Sequence, residues 1–157
     1  MVVVLDTDHE GGGKLVNSKS DKGGLTRWGI ASASHPNVDI LNLTQEQATD
    51  IYYKEYWTPM NIESLNDPNL ILNVFDHGIT SGPQTSIKLL QRLVQTTPDG
   101  GIGPITIESV SSFDGDIVDE FKKRRKLFYI TVVQKNEEQR PNLAGWLRRV
   151  DHSYLQS

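Results

Sequence analysis

Apolar positions along this chain recur mostly at helical spacing. Thr44 with Gln47 forms a capping-box pattern, and Ala48, Ile51, Tyr52 and Tyr56 follow on one helical face. Pro59 is expected to end that helix soon after Trp57. Asp67-Pro68 reads as a cap with proline in the first turn, and Ile71, Val74 and Phe75 form a stripe running up to Gly78 or Gly82. Pro83 opens the next helix, where Ile87, Leu90 and Val94 align. Pro98-Asp99-Gly100-Gly101 is a turn, and a short helix is expected over 104–112. Asp114 or Asp116 caps a long helix through Ile117, Phe121, Phe128 and Val132. Pro141 starts the last helix, with Ala144, Leu147 and Tyr154 on one face. Residues 14–31 carry scattered glycines and polar residues and read as a loop or small hairpin. The pattern therefore predicts a mainly α fold, with no internal repeat and no low-complexity linker.

Composition narrows the class without naming it. A length of 157 residues suits one domain, large enough to bury roughly two thirds of its unfolded surface. The chain has no cysteine, which excludes a disulfide framework and a thiolate metal site. No apolar run approaches the roughly 18 residues of a membrane-spanning helix. Val2-Val3-Val4-Leu5 is too short for the apolar core of a signal peptide, so no export leader is legible. Net charge is −4, unevenly spread: residues 1–120 hold 7 basic and 17 acidic residues, residues 121–157 hold 9 basic and 3 acidic. An acidic body with a basic end segment would orient on an anionic surface such as a cell envelope. The run Lys122-Lys123-Arg124-Arg125-Lys126 is expected as the solvated face of a helix, and a sequence pI of about 5.5 argues against nucleic acid as partner.

The chemistry concentrates between His9 and Ile30. Glu10 stands directly before Gly11, Gly12 and Gly13. Asp21 follows, then Gly23, Gly24, Thr26, Trp28 and Gly29. Two carboxylates flanking a flexible glycine-rich segment, with a hydroxyl and an aromatic beside them, suit cleavage of a sugar–sugar bond. One acid protonates the leaving oxygen; the second carboxylate activates water or stabilises the cationic transition state. His9, His35, His77 and His152 lack metal-ligand spacing, and Gly13 stands where a zinc-protease motif starting at His9-Glu10 needs its second histidine. No metal and no cofactor are expected, and the glycines form no phosphate loop.

The pattern E-G-G followed by D-x-G-G-x-T-x-W-G-I resembles the glycoside hydrolase family 108 N-acetylmuramidases, phage and prophage lysozymes of which some are labelled secretion activators. The resemblance continues in order along the chain. Tyr52-Tyr53-Lys54-Glu55-Tyr56-Trp57 looks like the family's second helix, and Val74-Phe75-Asp76-His77-Gly78, Ser81-Gly82 and Leu90-Gln91 like its next segments. Asp99-Gly100-Gly101-Ile102-Gly103-Pro104 with Thr106 is similar to the signature of a peptidoglycan-binding half, and Trp146-Leu147-Arg148-Arg149 to its C-terminal motif. The resemblance implies a lysozyme-like helical fold with a small loop or hairpin near the active site, and a first helix over Val2 to Glu10. It also implies a catalytic segment at 1–86 and a peptidoglycan-binding segment at 87–157, packed into one globule.

By this resemblance Glu10 is the general acid, Asp21 the carboxylate that activates water, and Thr26 the hydroxyl that holds it. Gly11, Gly24, Trp28 and Tyr52 are the candidate substrate-binding residues. Each has an ordinary reading as well. Glu10 also reads as a solvated helix-terminal residue, Asp21 as a loop residue bonding its own backbone, and Thr26 as a β-packing residue. Trp28 stacks on a sugar or belongs to the core; Tyr52, Tyr56 and Trp57 read as core, with one tyrosine reaching the cleft. Asp76, inside an apolar stripe, reads as a structural hydrogen-bonder first and a cleft residue second. The segment between Glu10 and Asp21 is longer than the family pattern, and Lys22 replaces the proline that often follows the aspartate. A displaced Asp21 and a bulged Lys14–Ser20 loop are both compatible with that.

The expected substrate is the β-1,4 bond between N-acetylmuramic acid and N-acetylglucosamine in the glycan strands of peptidoglycan. The expected setting is a monomer made in the host cytoplasm, released by a holin-type export partner and acting in the periplasm or cell wall. A lytic transglycosylase on the same fold and a non-catalytic wall-binding or secretion-helper protein are the alternatives. The first needs the glutamate without a water-activating aspartate; the second binds peptidoglycan without releasing fragments.

Overall fold

The computed structural model describes residues 15–17 and 25–153. The expected first helix over Val2 to Glu10, and Tyr154, lie outside them. Two compact units divide the chain, residues 1–55 and 56–157.

In the first unit, β1 (Val16–Asn17), β2 (Leu25–Arg27) and β3 (Ile30–Ala31) form an antiparallel sheet in chain order. Thr26 is opposite Val16 on one side and Ala31 on the other. A turn of 3-10 helix (Ile40–Asn42) leads to α1 (Gln45–Tyr52). The predicted capping box is present: Gln47 N donates to Thr44 Oγ1 at 3.2 Å, and Thr44 N donates to Gln47 Oε1 at 3.0 Å. Ile30, Ile40, Leu43, Ala48 and Tyr52 are buried.

Pro59 does not end the helix that begins at Gln45. Tyr53–Trp57 widen into a π turn, and Pro59 falls in the first turn of α2 (Thr58–Met60). A missing N–H costs little in a first turn. The run stops instead at Asn61, whose left-handed φ of 55° no helix continues through.

The second unit is a helical bundle. Its helices are α2, α3 (Pro68–Ser81), α4 (Pro83–Leu93), α5 (Pro104–Ser111), α6 (Ile117–Lys135) and α7 (Arg140–Asp151). Asp67 caps α3 by accepting from Asn69 N and Leu70 N, and Asp116 caps α6 by accepting from Asp119 N. Helix α3 packs on α4 and α6, and α6 also packs on α7. Ser86 Oγ donates to Val74 O at 2.6 Å across the α3–α4 contact. Gly78 lets the Met60 side chain close on α3, because a Cβ there would stand 3.0 Å from the Met60 methyl. Among the described residues no helix is long and apolar enough to cross a membrane.

Two helix faces differ from the sequence expectation, and one carboxylate, that of Asp76, explains both. The buried stripe of α6 is Phe121, Arg125, Tyr129 and Val133, not Phe121, Phe128 and Val132. Arg125, expected in a solvated run, is 0% exposed; Lys123 and Arg124 beside it do face solvent. Its partner is Asp76 of α3: Arg125 Nη2 donates to Asp76 Oδ2 at 2.6 Å, and Nη1 to Asn73 Oδ1 at 2.7 Å. On α7, Ala144 is exposed and Leu147 half-buried, while Val150 is buried. That helix turns Arg149 toward the same carboxylate, with Nε 3.0 Å and Nη2 2.8 Å from Asp76 Oδ1. Ser153 Oγ adds a bond to Asp76 Oδ2 at 3.2 Å. Trp146 stacks on Tyr129 of α6, with ring centroids 5.1 Å apart. Asp76 is thus the structural hydrogen-bonder the sequence suggested.

Burial disfavours the Asp76 carboxylate, but bonds and charge from Arg149 and Arg125 outweigh it and hold the carboxyl below its usual range. Its neighbour His77 goes the other way for a charge. Desolvation, then the Arg125 guanidinium, pushes the imidazole down to about 3. Phe121, Phe128 and Tyr129 stand edge-on around it, and the Tyr129 hydroxyl lies 3.2 Å from Nδ1.

Removing one partner of a buried ion cluster strands the others. Asp76→Asn is expected to cost about 3–5 kcal/mol, read by urea denaturation, because Arg125 keeps its charge and loses its counterion. A loss under about 1 kcal/mol would mean the cluster is dispensable. His77 gives a pH dependence of known sign. Between about 3 and the free value of 6.5 the unfolded chain binds a proton the folded chain does not. Stability therefore falls as pH drops through that window. Asp76 adds its own loss only lower, as pH falls from the free value of 3.8 through its depressed folded value. Thermal melts of wild type from pH 7 to 5 should show a fall in Tm that His77→Leu flattens; equal slopes would contradict a buried neutral His77.

Candidate active-site hairpin

Of the residues singled out in the sequence, Glu10, Gly11, Asp21 and Gly24 lie outside the described residues. Thr26, Trp28 and Tyr52 lie within them, and the fold gathers all three around one hairpin.

Strands β2 and β3 are joined by a two-residue turn at Trp28-Gly29, with Arg27 opposite Ile30. Both turn residues have positive φ, 54° at Trp28 and 76° at Gly29, which makes a type I′ turn. Glycine adopts this freely. Tryptophan does not, and a bulky residue held there costs on the order of 1–3 kcal/mol. The surroundings supply an offset of similar size. Trp28 Nε1 donates to Leu43 O at 3.2 Å, and the Tyr52 hydroxyl donates to Trp28 O at 3.0 Å. Each such bond is worth about 0.5–1.5 kcal/mol net. Arg27 Nη1 also donates to Leu41 O at 2.7 Å. The hairpin is thus tethered to the segment before α1 and to the end of α1.

This geometry sorts the expected roles. Thr26 is half-buried on the central strand. Trp28 is half-buried, with its indole edge spent on Leu43 and its position fixed by the strained turn. Tyr52, expected to reach the sugar, is 4% exposed and gives its hydroxyl to the Trp28 carbonyl, so it braces the turn. Trp57 is buried in the second unit, with Nε1 donating to Glu63 Oε1 at 3.0 Å. Arg27, Leu41 and Leu43 were not picked out in the sequence, because two of them act through backbone carbonyls that carry no side-chain signature.

The segments of the second unit that the sequence likens to a peptidoglycan-binding signature meet in one knot. Gln91 is 1% exposed, and its Nε2 donates to Asp99 Oδ1 at 2.8 Å, Gly101 O at 2.9 Å and Thr106 Oγ1 at 3.2 Å. Its Oε1 accepts from Gly100 N at 3.0 Å. Asp99 also accepts from Gly101 N, and these bonds hold its carboxyl below the ordinary range. Leu90-Gln91 and Asp99–Thr106, separate in the sequence, are therefore two halves of one loop-shaping network. These polar side chains are committed to the loop itself.

Comparison with known proteins follows the same division. Residues 5–82 match the family model described as glycosyl hydrolase 108, and residues 85–151 match the model described as a predicted peptidoglycan domain. No curated protein matches the chain. Among solved structures, SagA from Brucella abortus is 28% identical in sequence, with a TM-score of 0.76 over 94% of this chain and 86% of that one. The mainly α fold with its small hairpin is thus shared with that protein. Carrying both segments in order, the chain belongs to the glycosyl hydrolase 108 family of peptidoglycan-active glycoside hydrolases.

Proposed function

We propose that the protein is an N-acetylmuramidase that hydrolyses the β-1,4 bond between N-acetylmuramic acid and N-acetylglucosamine, acting as an endolysin on the cell wall. The observation that carries this reading is the match of residues 5–82 to the glycosyl hydrolase model, which spans Glu10, Asp21 and Thr26 together. Glu10 protonates the glycosidic oxygen. Asp21 takes a proton from the attacking water, and Thr26 holds that water in place. A water between the two carboxylates implies inversion and a separation of roughly 6.5–9.5 Å. Gly11 and Gly24 let backbone approach the sugar, and the half-buried Trp28 offers its ring to a sugar face.

Residues 1–86 carry the chemistry and residues 87–157 the hold on the wall. On this reading the enzyme acts in the periplasm or cell wall, and a pore-forming partner is its route there.

Turbidity loss of outer-membrane-stripped Gram-negative cells tests the reading. Glu10→Gln is expected to lower the rate by about 10²–10⁴, the usual worth of general-acid catalysis, and Asp21→Asn by a similar factor. A loss below about tenfold in Glu10→Gln would sink the assignment. A wild type that binds walls without lysing them would leave only the wall-binding role.

A further inference from the structure

One contact in the first unit joins residues 20 apart in sequence. His35 Nε2 lies 2.8 Å from Glu55 Oε2. On its other side His35 returns to the hairpin: its backbone N donates to Ala31 O at 3.1 Å, and its Nδ1 faces the same oxygen at 3.4 Å. Ala31 is the strand partner of Thr26. Glu55 sits in the π turn three residues after Tyr52, whose hydroxyl holds the Trp28 carbonyl. One helical stretch therefore grips the hairpin at two places, its turn through Tyr52 and the far end of β3 through Glu55 and His35. Single π turns inside helices recur at functional sites.

The magnitudes separate geometry from stability. The Glu55 side chain is 48% exposed, so this contact contributes about 0–1 kcal/mol to folding. What it does is directional. Both imidazole nitrogens face oxygen atoms, Nδ1 the Ala31 carbonyl and Nε2 the Glu55 carboxylate, so the ring is oriented from both sides. The link fixes Ala31, and through the strand pairing it fixes Thr26.

We propose that His35 and Glu55 are positioning residues: their contact holds the β2–β3 hairpin, and with it Thr26 and Trp28, in register for glycan cleavage. The inference rests on the muramidase reading for its consequence, and on the hydrogen bonds alone for its geometry. Small misplacements of reacting groups cost up to about 10²-fold in rate.

Two readouts on the whole protein test it. The first is hydrogen exchange of the Trp28 indole N–H, assigned by its loss in Trp28→Phe, with the Trp57 indole as internal reference. Glu55→Ala and His35→Ala are expected to speed Trp28 exchange about tenfold and leave Trp57 unchanged, with Tm within about 3 °C of wild type. The second is steady-state lysis. Glu55→Ala is expected to lower kcat about tenfold with KM within about twofold, and Glu55→Gln, which keeps an acceptor for Nε2–H, to stay within about threefold of wild type. Unchanged Trp28 exchange would overturn the clasp. Faster exchange with unchanged kcat would overturn the positioning role. A wild type without lytic activity would defeat the muramidase reading instead, and the exchange result would still decide the clasp.

Discussion

The bundle of the second unit depends on the carboxylate of Asp76. Two guanidinium groups converge on it from α6 and α7, one of them wholly buried. A buried arginine is tolerable only with its counterion and hydrogen bonds in place, so the register of α3, α6 and α7 is fixed together. Asn73 reinforces this, accepting from Arg125 and donating to Ser153 O at 2.9 Å. The Tyr129–Trp146 stack and Val150 fill in beside it. His77 stays uncharged next door because burial and the Arg125 charge both oppose a further cation there.

This cluster crosses the division between the two family segments. Asp76 belongs to the part that matches the glycosyl hydrolase model, while Arg125 and Arg149 belong to the part that matches the peptidoglycan domain. Helix α3 packs on α4 and α6 of that second segment. The boundary drawn by sequence family thus runs through a packed interior within residues 56–157. Cutting the chain near residue 83 would remove Asp76 from Arg125 and part α3 from α4 and α6, against which it packs.

What was legible in the sequence was what is local. The capping box at Thr44 and Gln47, the Asp67-Pro68 start and the Asp116 cap all act within three residues of themselves, and all formed. Pro59 misled, because a π turn placed it in a fresh first turn rather than at a helix end. The buried face of α6 was misread because Arg125 looks like surface unless its partner, 49 residues away, is known. The Trp28-Gly29 turn hid for a related reason: tryptophan is not a turn residue, and only Leu43 and Tyr52 make its left-handed backbone bearable. In the candidate site, Thr26 and Trp28 stand out through their motif, whereas the His35–Glu55 contact has no local signature. Glu10 and Asp21 rest on the motif and the family match.

The bond that is cut, and how, decides the central claim. Purified peptidoglycan digested in ¹⁸O-labelled water and read by mass spectrometry should give fragments with reducing N-acetylmuramic acid ends that carry the label, as direct attack of water requires. Fragments ending in unlabelled 1,6-anhydro sugars would contradict a water-activating Asp21 and assign the chain to transglycosylation.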